Sequence, residues 1–196
     1  MTASPRADRT GARARAALGR AMEIAALALV LGACRLPYVP GITPAPPAAV
    51  ADLADANGRA VGRAVFLQER GKVRILVDFK AGPSGAKAVH IHEVGRCDPP
   101  AFESAGAHFN PAKNSHGLEN PRGPHAGDLP NVTIDSNGRG HLEFTDTRVT
   151  LDKGANSLFG VNGTSLVLHD AADDLRTDPE GNSGVRVACG IIVRAQ

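Results

Sequence analysis

The sequence predicts an all-β fold, an antiparallel sandwich or barrel, and three observations indicate it. Apolar residues recur with a period of two in several short runs after residue 50, as in half-buried strands. Turn signals containing Gly, Asn or Asp separate these runs, and no stretch beyond residue 50 sustains a helical period. With 22 Gly and 14 Pro among 196 residues, the composition is that of a turn-rich chain. Short strands joined in this way are typical of antiparallel sandwiches and barrels.

Residues 1–33 have the pattern of a secretory signal peptide. An arginine-rich stretch precedes the apolar run 24–33, which is about half the ~20 residues that a membrane span needs. Its end, LGAC, resembles the lipobox of bacterial lipoproteins, which predicts that Cys34 is the first mature residue and carries lipid. Ordinary signal cleavage nearby, with Cys34 incidental, is the alternative. We therefore expect an exported protein of the cell envelope or periplasm, attached to a membrane only through the lipid on Cys34.

Residues 34–50 hold five prolines and predict a semi-stiff tether, so that residues 51–196 form the folded domain. The first 34 residues carry five arginines against two acidic residues, a net charge of +3, whereas the whole chain carries +2. The remainder therefore has a net charge of −1. A nearly neutral mature domain gives no electrostatic reason to expect nucleic acid as a partner.

The strand signals follow one another along the domain. In KVRILVDFK (72–80) apolar and polar residues alternate, Leu76 excepted, and the preceding AVFLQ pairs with this run across the short turn ERG. NVTID and GHLEFTD flank DSNGRG, which is a hairpin signal. TSLVLHD and VRVACGIIV supply further strands. The segments 93–130 and 170–184 break this rhythm, and loops of that length in a compact domain are usually functional or disordered.

Two cysteines, Cys97 and Cys189, remain once Cys34 is set aside. Export implies an oxidising compartment, in which disulfides persist. Two thiols in such a domain most simply pair with each other, and two unpaired cysteines are the alternative.

The histidines decide what the long loops do. AVHIHEVG places His90 and His92 two residues apart in a β-like run, and strand alternation sends both rings to one face. His169 ends the apolar strand TSLVLHD and can come alongside by strand pairing, while His108 enters from the long loop. A cluster of four imidazoles suits copper, which prefers tetragonal nitrogen ligation. His141, in GHLEF, is expected to be a surface strand residue.

The stretch HFNPAKNSHGLENPRGPHAGD (108–128) has almost no apolar residues, yet it holds His108, His116, His125 and Asp128. Metal binding can order a loop that has no hydrophobic core of its own. Three histidines and one aspartate match a closed, four-coordinate zinc site.

These motifs together resemble a known family. HIHEVGRCD, SAGAHFNP, HG, PHAGDLPNV, LVLHDAADDL and GNSGVRVACGII follow, in order, the signature blocks of copper/zinc superoxide dismutases, and the resemblance covers roughly residues 58–196. It implies an eight-stranded antiparallel Greek-key barrel with two long functional loops, in agreement with the period-two pattern. It also implies dismutation of superoxide to dioxygen and hydrogen peroxide, with copper and zinc as cofactors, protecting the cell envelope.

The resemblance implies a role for each of the following residues. Copper would be held by His90, His92, His108 and His169, and zinc by His108, His116, His125 and Asp128. His108 would bridge both metals as an imidazolate and supply a proton, and Asp173 would hydrogen-bond one histidine of each site. Arg186 would attract the anionic substrate beside the copper, and Cys97–Cys189 would be the intrasubunit disulfide.

Several positions depart from the better-known eukaryotic members. The segment LRTDPEGNSG is shorter and lacks Lys, so attraction of superoxide should rest on Arg186, helped by Arg122, Lys113 or Arg176. Lys87 and Ala88 stand where the family commonly has His-Gly. Arg194 replaces an apolar residue of the eukaryotic dimer contact, which argues against that dimer and leaves a monomer and a bacterial-type dimer open.

Two other functions compete with dismutation. The first is a dismutase-like lipoprotein that binds zinc or copper without dismutase activity, although all four candidate copper ligands are present. The second is a zinc hydrolase, whose sites also begin with H-x-H. The continuation H-x-H-x-D-H that such a site requires is missing, since HIHEVG stands here.

Overall fold

A computed structural model describes residues 48–196 of the chain. The predicted signal peptide, Cys34 and the tether as far as residue 47 lie outside the described residues. The first strand begins at Ala49, so that the last two residues assigned to the tether, Ala49 and Val50, belong to the barrel. Within residues 48–196, no helix has the length and apolar character that crossing a membrane requires.

The structure is all-β, as predicted, and every strand pairing is antiparallel. Its elements are β1 (Ala49–Asp55), β2 (Ala60–Glu69), β3 (Lys72–Phe79), β4 (Gly85–Lys87), β5 (Val89–His92), a short 3-10 turn (Glu103–Ala105), β6 (Val132–Ile134), β7 (Gly140–Asp146), β8 (Ser165–His169), β9 (Arg186–Ile191) and β10 (Val193–Arg194). Single residues separate β4 from β5 and β9 from β10. The segments therefore form eight runs of chain, which is the strand number of the predicted barrel.

The sheet closes on itself at Ala88. The strand order is β4-β6-β7-β3-β2-β1-β9-β8-β5, so its two ends, β4 and β5, are consecutive in the chain and joined by this one residue. Ala88 is fully buried, its N–H donates to the carbonyl of Ala171 (2.8 Å), and its carbonyl accepts from the N–H of His169 (3.0 Å). Pairing of β3 with β7 and of β1 with β9 gives the crossed connections of a Greek key. A nearly closed barrel results.

The core follows the alternation read from the sequence. Along β3 the side chains of Val73, Ile75, Val77 and Phe79 are buried, while Leu76, the exception in the pattern, faces outward and is only half-buried. Phe66 from β2 is fully buried against them. Inward side chains of this kind stabilise a fold by roughly 1.5–3 kcal/mol each when fully buried. The rigid barrel leaves the long loops to carry the polar chemistry.

Two departures from the family pattern find intramolecular partners. The ammonium group of Lys87 donates to the carbonyl oxygen of Asp170 (2.5 Å), beside the closure at Ala88. The guanidinium of Arg194 lies over the ring of Phe159, 4.1 Å from its centroid, and donates to the carbonyl of Leu151 (3.2 Å).

The predicted disulfide is confirmed. Cys97 and Cys189 are bonded, with Cα atoms 5.7 Å apart and a separation of 92 in sequence. Cys189 belongs to a small apolar cluster with Phe102, Ala105 and Val167, against which Cys97 packs. The bond ties the start of the first long loop to β9.

We expect the Cys97→Ala/Cys189→Ala variant to lose stability in the metal-free state, because the bond restricts the unfolded chain over a separation of 92 residues. The chain-entropy relation gives a loss of about 4.6 kcal/mol in the free energy of unfolding. Urea unfolding followed by circular dichroism measures it, with reduced wild-type protein as the matched control. An unfolding midpoint unchanged by the substitution would contradict this account.

Candidate metal centre

The first long loop returns along the free edge of β5. Ile91 donates its N–H to the carbonyl of Gly127 (2.9 Å), and its carbonyl accepts from the N–H of Phe109 (2.8 Å). These bonds set His108 opposite His92 and Asp128 opposite His90. A side chain at Gly127 would collide with the backbone of Ile91, so glycine is required at this close approach. The loop ends are thus held against the strand that carries the H-x-H motif.

The structure gathers the predicted copper ligands into one buried cluster. β5 contributes His90 and His92, the loop contributes His108, and β8 contributes His169 because β8 pairs with β5, as expected. One candidate ligand nitrogen from each ring lies within 4.8 Å of the others. All four side chains are buried.

Hydrogen bonds on the outer side of the cluster fix the tautomers. Nδ1 of His92 lies 2.9 Å from the carbonyl of Gly106, and Nδ1 of His169 lies 3.3 Å from that of Gly184. A carbonyl can only accept, so both Nδ1 atoms carry the proton and each Nε2 presents an unshared electron pair. His90 is turned the other way, because its Nε2 donates to Asp173 (2.9 Å) and its Nδ1 faces the cluster. All three rings therefore point an unprotonated nitrogen, which can bind a metal, into the cluster.

These inward nitrogens are the test of whether the residues fit a metal. Nδ1 of His90 and Nε2 of His92, His108 and His169 are buried, and each lacks a hydrogen-bond partner among the described residues. Buried polar atoms without partners are rare because each costs about 1–3 kcal/mol. Four of them converging on one point fit a single metal ion with nitrogen ligands.

The second cluster converges on one carboxylate oxygen. Oδ1 of Asp128 lies 3.0, 3.1 and 3.3 Å from the Nδ1 atoms of His108, His116 and His125. For a tetrahedral zinc site with ligand bonds of ~2.0 Å, neighbouring ligand atoms are ~3.3 Å apart. The other oxygen, Oδ2, accepts from the N–H groups of Gly117 (2.8 Å) and His125 (2.9 Å), which holds the carboxylate in this orientation. The spacing fits zinc.

His108 belongs to both clusters. Its Nε2 is one of the unpartnered nitrogens of the first cluster, and its Nδ1 lies in the second, 3.4 Å from Nδ1 of His125. The bridging geometry expected from the sequence is therefore present.

Asp173 connects the two clusters from behind. One oxygen accepts from Nε2 of His90 (2.9 Å) and the other from Nε2 of His116 (3.0 Å). Asn131 holds the backbone of Asp173 through two hydrogen bonds of 2.8 Å. Gly181, at a φ of +64°, packs so closely that a Cβ there would overlap the carboxylate. Such partners orient metal ligands and set their tautomers.

Sequence reasoning missed Asn131, Gly181 and Asp178. The carboxylate of Asp178 accepts from the N–H of His116 (2.6 Å) and so joins the second long loop to the first. Asn131 and Gly181 lie inside the signature blocks PHAGDLPNV and GNSGVRVACGII, which was the signal available for them. Asp178 lies outside any such block. His141 is on the surface of β7, as expected, beside Asp78.

Arg186 lies at the start of β9, close to the first cluster. Its Nη1 donates to the carbonyl of Phe102 (3.0 Å), its Nη2 is 3.6 Å from Glu180, and its side chain is 15% exposed. A cleft of about 270 Å³ is lined by Arg186, Glu180, Glu103 and Val185 among others. The guanidinium is thus anchored on one side and reachable on the other.

Comparison with known proteins agrees with this geometry. The sequence profile of the family described as Copper/zinc superoxide dismutase (SODC) matches residues 60–192. The chain is 47% identical to Superoxide dismutase [Cu-Zn] 1 of Aquifex aeolicus over 144 residues, 72% of this chain and 85% of that protein. It is 37% identical to Superoxide dismutase [Cu-Zn] of Deinococcus radiodurans, covering 74% and 84%. The crystal structure of a SOD-like protein from Bacillus subtilis superposes with a TM-score of 0.70 at 34% identity, covering 74% of this chain and 97% of that one.

The chain belongs to the copper/zinc superoxide dismutase family. Superoxide dismutation is its activity, and copper and zinc are its cofactors. The barrel, the Cys97–Cys189 disulfide and the two groups of metal-binding side chains all agree with membership.

Burial controls the proton affinity of the dismutase's first cluster. It lowers the pKa of His90 to about 3 and that of His169 to about 4, and it lowers the pKa of His92 well below its ordinary value. The nearby charge of Arg186 contributes to the lowering at His92 and His169. These rings are therefore neutral near pH 7, which is the form that binds metal.

The second cluster is governed by its carboxylates. Burial alone would lower the pKa of His116, but the carboxylates of Asp128 (3.1 Å) and Asp173 (3.0 Å) beside the ring outweigh it and raise that pKa to about 9. Burial alone would raise the pKa values of Asp128 and Asp173, but hydrogen bonds from the histidines hold both well below the usual range. The negative charge that zinc would neutralise is thus already fixed in the folded protein.

We expect the metal-free protein to be most stable near pH 6.5. Below that pH His90 and His169 bind protons in the unfolded chain but stay neutral in the folded protein. The free energy of unfolding therefore falls by about 1.4 kcal/mol per pH unit for each group until the pH approaches 4. The stabilisation from His116 is complete below pH 6.5 and is lost as the pH rises toward 9.

Urea unfolding of the chelator-treated protein between pH 5 and 9 measures this profile. In the His116→Gln variant the alkaline decline should flatten while the acid side keeps its slope. An alkaline decline of the same size in that variant would refute the assignment to His116.

Proposed function

We propose that this dismutase holds copper and zinc at the two described clusters and works in the cell envelope. The copper ligands are His90, His92, His108 and His169, and the zinc ligands are His108, His116, His125 and Asp128. The observation that carries the proposal is the ring of His108, whose two nitrogens each face one cluster. A ring shared in this way has no purpose in a site for a single ion.

Bound copper supplies the one-electron redox chemistry that turns two superoxide anions and two protons into dioxygen and hydrogen peroxide. Nε2 of His108 is the atom that can hold a proton for the reaction, because Nδ1 of the same ring lies in the zinc cluster. Asp173 keeps His90 and His116 in their orientations through both of its oxygens. The rings of the first cluster are buried, which shields the inward nitrogens from bulk water.

Arg186 binds the substrate in this proposal. Its guanidinium is a permanent cation whose planar set of donors suits a small anion. The bond from Nη1 to the carbonyl of Phe102 fixes the orientation of the guanidinium. The guanidinium also lines the cleft, where its remaining N–H groups can meet an anion. Arg186 on β9 pairs with His169 on β8, and its charge helps to lower the pKa values of His92 and His169, so an anion held by Arg186 is close to the first cluster.

The charges around Arg186 indicate that superoxide is attracted by this one cation rather than by a wide positive surface. Arg176 donates from Nε (3.0 Å) and Nη2 (2.6 Å) to one carboxylate oxygen of Glu119, and this ion pair offsets its charge. Lys113 and Arg122 are exposed on the first long loop. Glu180 lies 3.6 Å from Arg186 and also lines a second cleft of about 410 Å³ that reaches His108. We infer that Arg186 attracts superoxide and that Glu180 opposes it.

We expect Arg186→Ala to lower kcat/KM of the copper- and zinc-loaded enzyme about tenfold and to flatten its dependence on ionic strength, because local fields change encounter rates by this order. Glu180→Gln should raise kcat/KM about twofold through the same field. Pulse radiolysis at several salt concentrations measures both. Arg63→Ala, which removes an exposed cation paired with Asp52, is the matched control and should change little. A salt slope that Arg186→Ala leaves unaltered would overturn the role of this residue.

We propose export and lipid attachment from two supports. The first is the sequence of residues 1–34, with its arginines, its apolar run and LGAC. The second is the disulfide, which persists in oxidising compartments such as the periplasm. On this proposal the lipid on Cys34 is the chain's contact with the membrane, and the enzyme removes superoxide from the envelope.

Expression of the full chain in a bacterium fed labelled fatty acid tests the anchor. We expect label on the wild type and recovery in the membrane fraction, and neither for Cys34→Ala, because the thiol is the acylated atom. Cys97→Ala is the matched cysteine control and should keep the label. Label that persists in Cys34→Ala would place the lipid elsewhere.

A further inference from the structure

An ion pair between a buried carboxylate and a partly exposed arginine lies behind the zinc cluster. Asp146, the last residue of β7, is 1% exposed, and Arg148 follows two positions later. The backbone N–H and Nε of Arg148 donate to Oδ1 of Asp146 (2.7 and 2.8 Å), and Nη2 donates to Oδ2 (2.8 Å). The carboxylate therefore fixes the plane of the guanidinium.

The remaining donors of Arg148 reach the turn 125–128. Nη1 donates to the carbonyl of His125 (2.9 Å) and Nη2 to the carbonyl of Asp128 (2.8 Å). These two residues are the first and last of the turn, and both are zinc ligands in the function proposed above. One guanidinium thus hydrogen-bonds both ends of the turn 125–128, which supplies two of the four proposed zinc ligands.

The turn is held in its middle by the bond from the N–H of Ile91 to the carbonyl of Gly127, and internally by the bond from the N–H of His125 to Oδ2 of Asp128 (2.9 Å). Arg148 adds a hold on the carbonyls at the two ends of the turn. The hydrogen bond that closes it, from the N–H of Asp128 to the carbonyl of His125, is long at 3.4 Å. The first long loop contributes few apolar side chains, although Ala126 and Leu129 are buried. Arg148 is itself steadied from outside, because Asn156 donates to its carbonyl (2.8 Å) and its guanidinium lies 5.7 Å from the ring centre of Phe144.

We propose that Arg148 is a positioning residue for the zinc site. It sets the turn 125–128 so that Nδ1 of His125 and Oδ1 of Asp128 stand 3.3 Å apart, the spacing of tetrahedral ligands, before the metal arrives. Asp146 acts through Arg148 by orienting it. The proposal rests on the assignment of zinc to this cluster and adds to it a residue outside the ligand set.

Lysine cannot replace arginine in this role. The four guanidinium bonds reach two carboxylate oxygens and two carbonyls in different directions, which a planar fork can do. A single ammonium nitrogen carries three donors on one atom and keeps only the charge. Arg148→Lys therefore separates geometry from charge, and it leaves Asp146 with a cation so that the buried carboxylate is not unpaired.

The test compares zinc affinity in the wild type, Arg148→Lys and Arg194→Met by competition with a chromophoric chelator. Arg194 is the matched control, because it too bonds a loop carbonyl and lies against an aromatic ring, but it contacts the Leu151 and Phe159 region. We expect Arg148→Lys to weaken zinc binding about 10- to 100-fold, the usual effect of losing a group that orients a ligand. Arg194→Met should stay within about twofold.

Cobalt(II) in place of zinc supplies a second readout. The wild type should show the strong visible absorption of tetrahedral cobalt, and Arg148→Lys should show a weaker, altered spectrum because the turn no longer holds two ligands in place. A purely structural role would lower stability in urea but leave the cobalt spectrum and the zinc affinity at wild-type values, and that result would overturn the proposal. A His125→Ala variant that binds zinc as tightly as the wild type would instead overturn the zinc assignment and, with it, this inference.

Discussion

Seven candidate ligand side chains are buried here around two points, and the rest of the molecule serves to keep them there. Unpartnered nitrogens packed this closely would disrupt an ordinary core, since each lacks the hydrogen bond it had in water. The hydrogen bonds that His92, His169 and His90 donate outward to Gly106, Gly184 and Asp173 prevent these rings from turning. The first cluster is therefore a site prepared for a cation rather than a hydrogen-bonded network.

The barrel makes this preparation possible at one edge. Closure at Ala88 leaves β5 paired with β8 on one side and free on the other, so the first long loop can lie along it. The candidate ligands from β5, from its partner strand β8 and from the first long loop can then meet in one place. The disulfide and the bond from His116 to Asp178 hold both long loops to this edge, which gives a polar loop the definition that a hydrophobic core gives elsewhere.

Local patterns were sufficient to predict the β class, the hairpins and the residues that meet in the two clusters, because alternation and histidine spacing act over a few residues. β1 was not predicted: AVADLAD consists largely of small and acidic residues, and its strand character comes from pairing with β2 and β9 far along the chain. The roles of Asn131, Asp178 and Arg148 were not predicted for the same reason. Each contributes through a bond to a residue at least 20 positions away, which no periodicity reveals.

The single carboxylate of Asp173 touches one histidine of each cluster, and His108 belongs to both. In the function proposed above, the two metals therefore share a ligand and a supporting carboxylate, and any coupling between their binding equilibria is reciprocal. A substitution at either residue alters both clusters at once, so the two sites cannot be tuned one at a time.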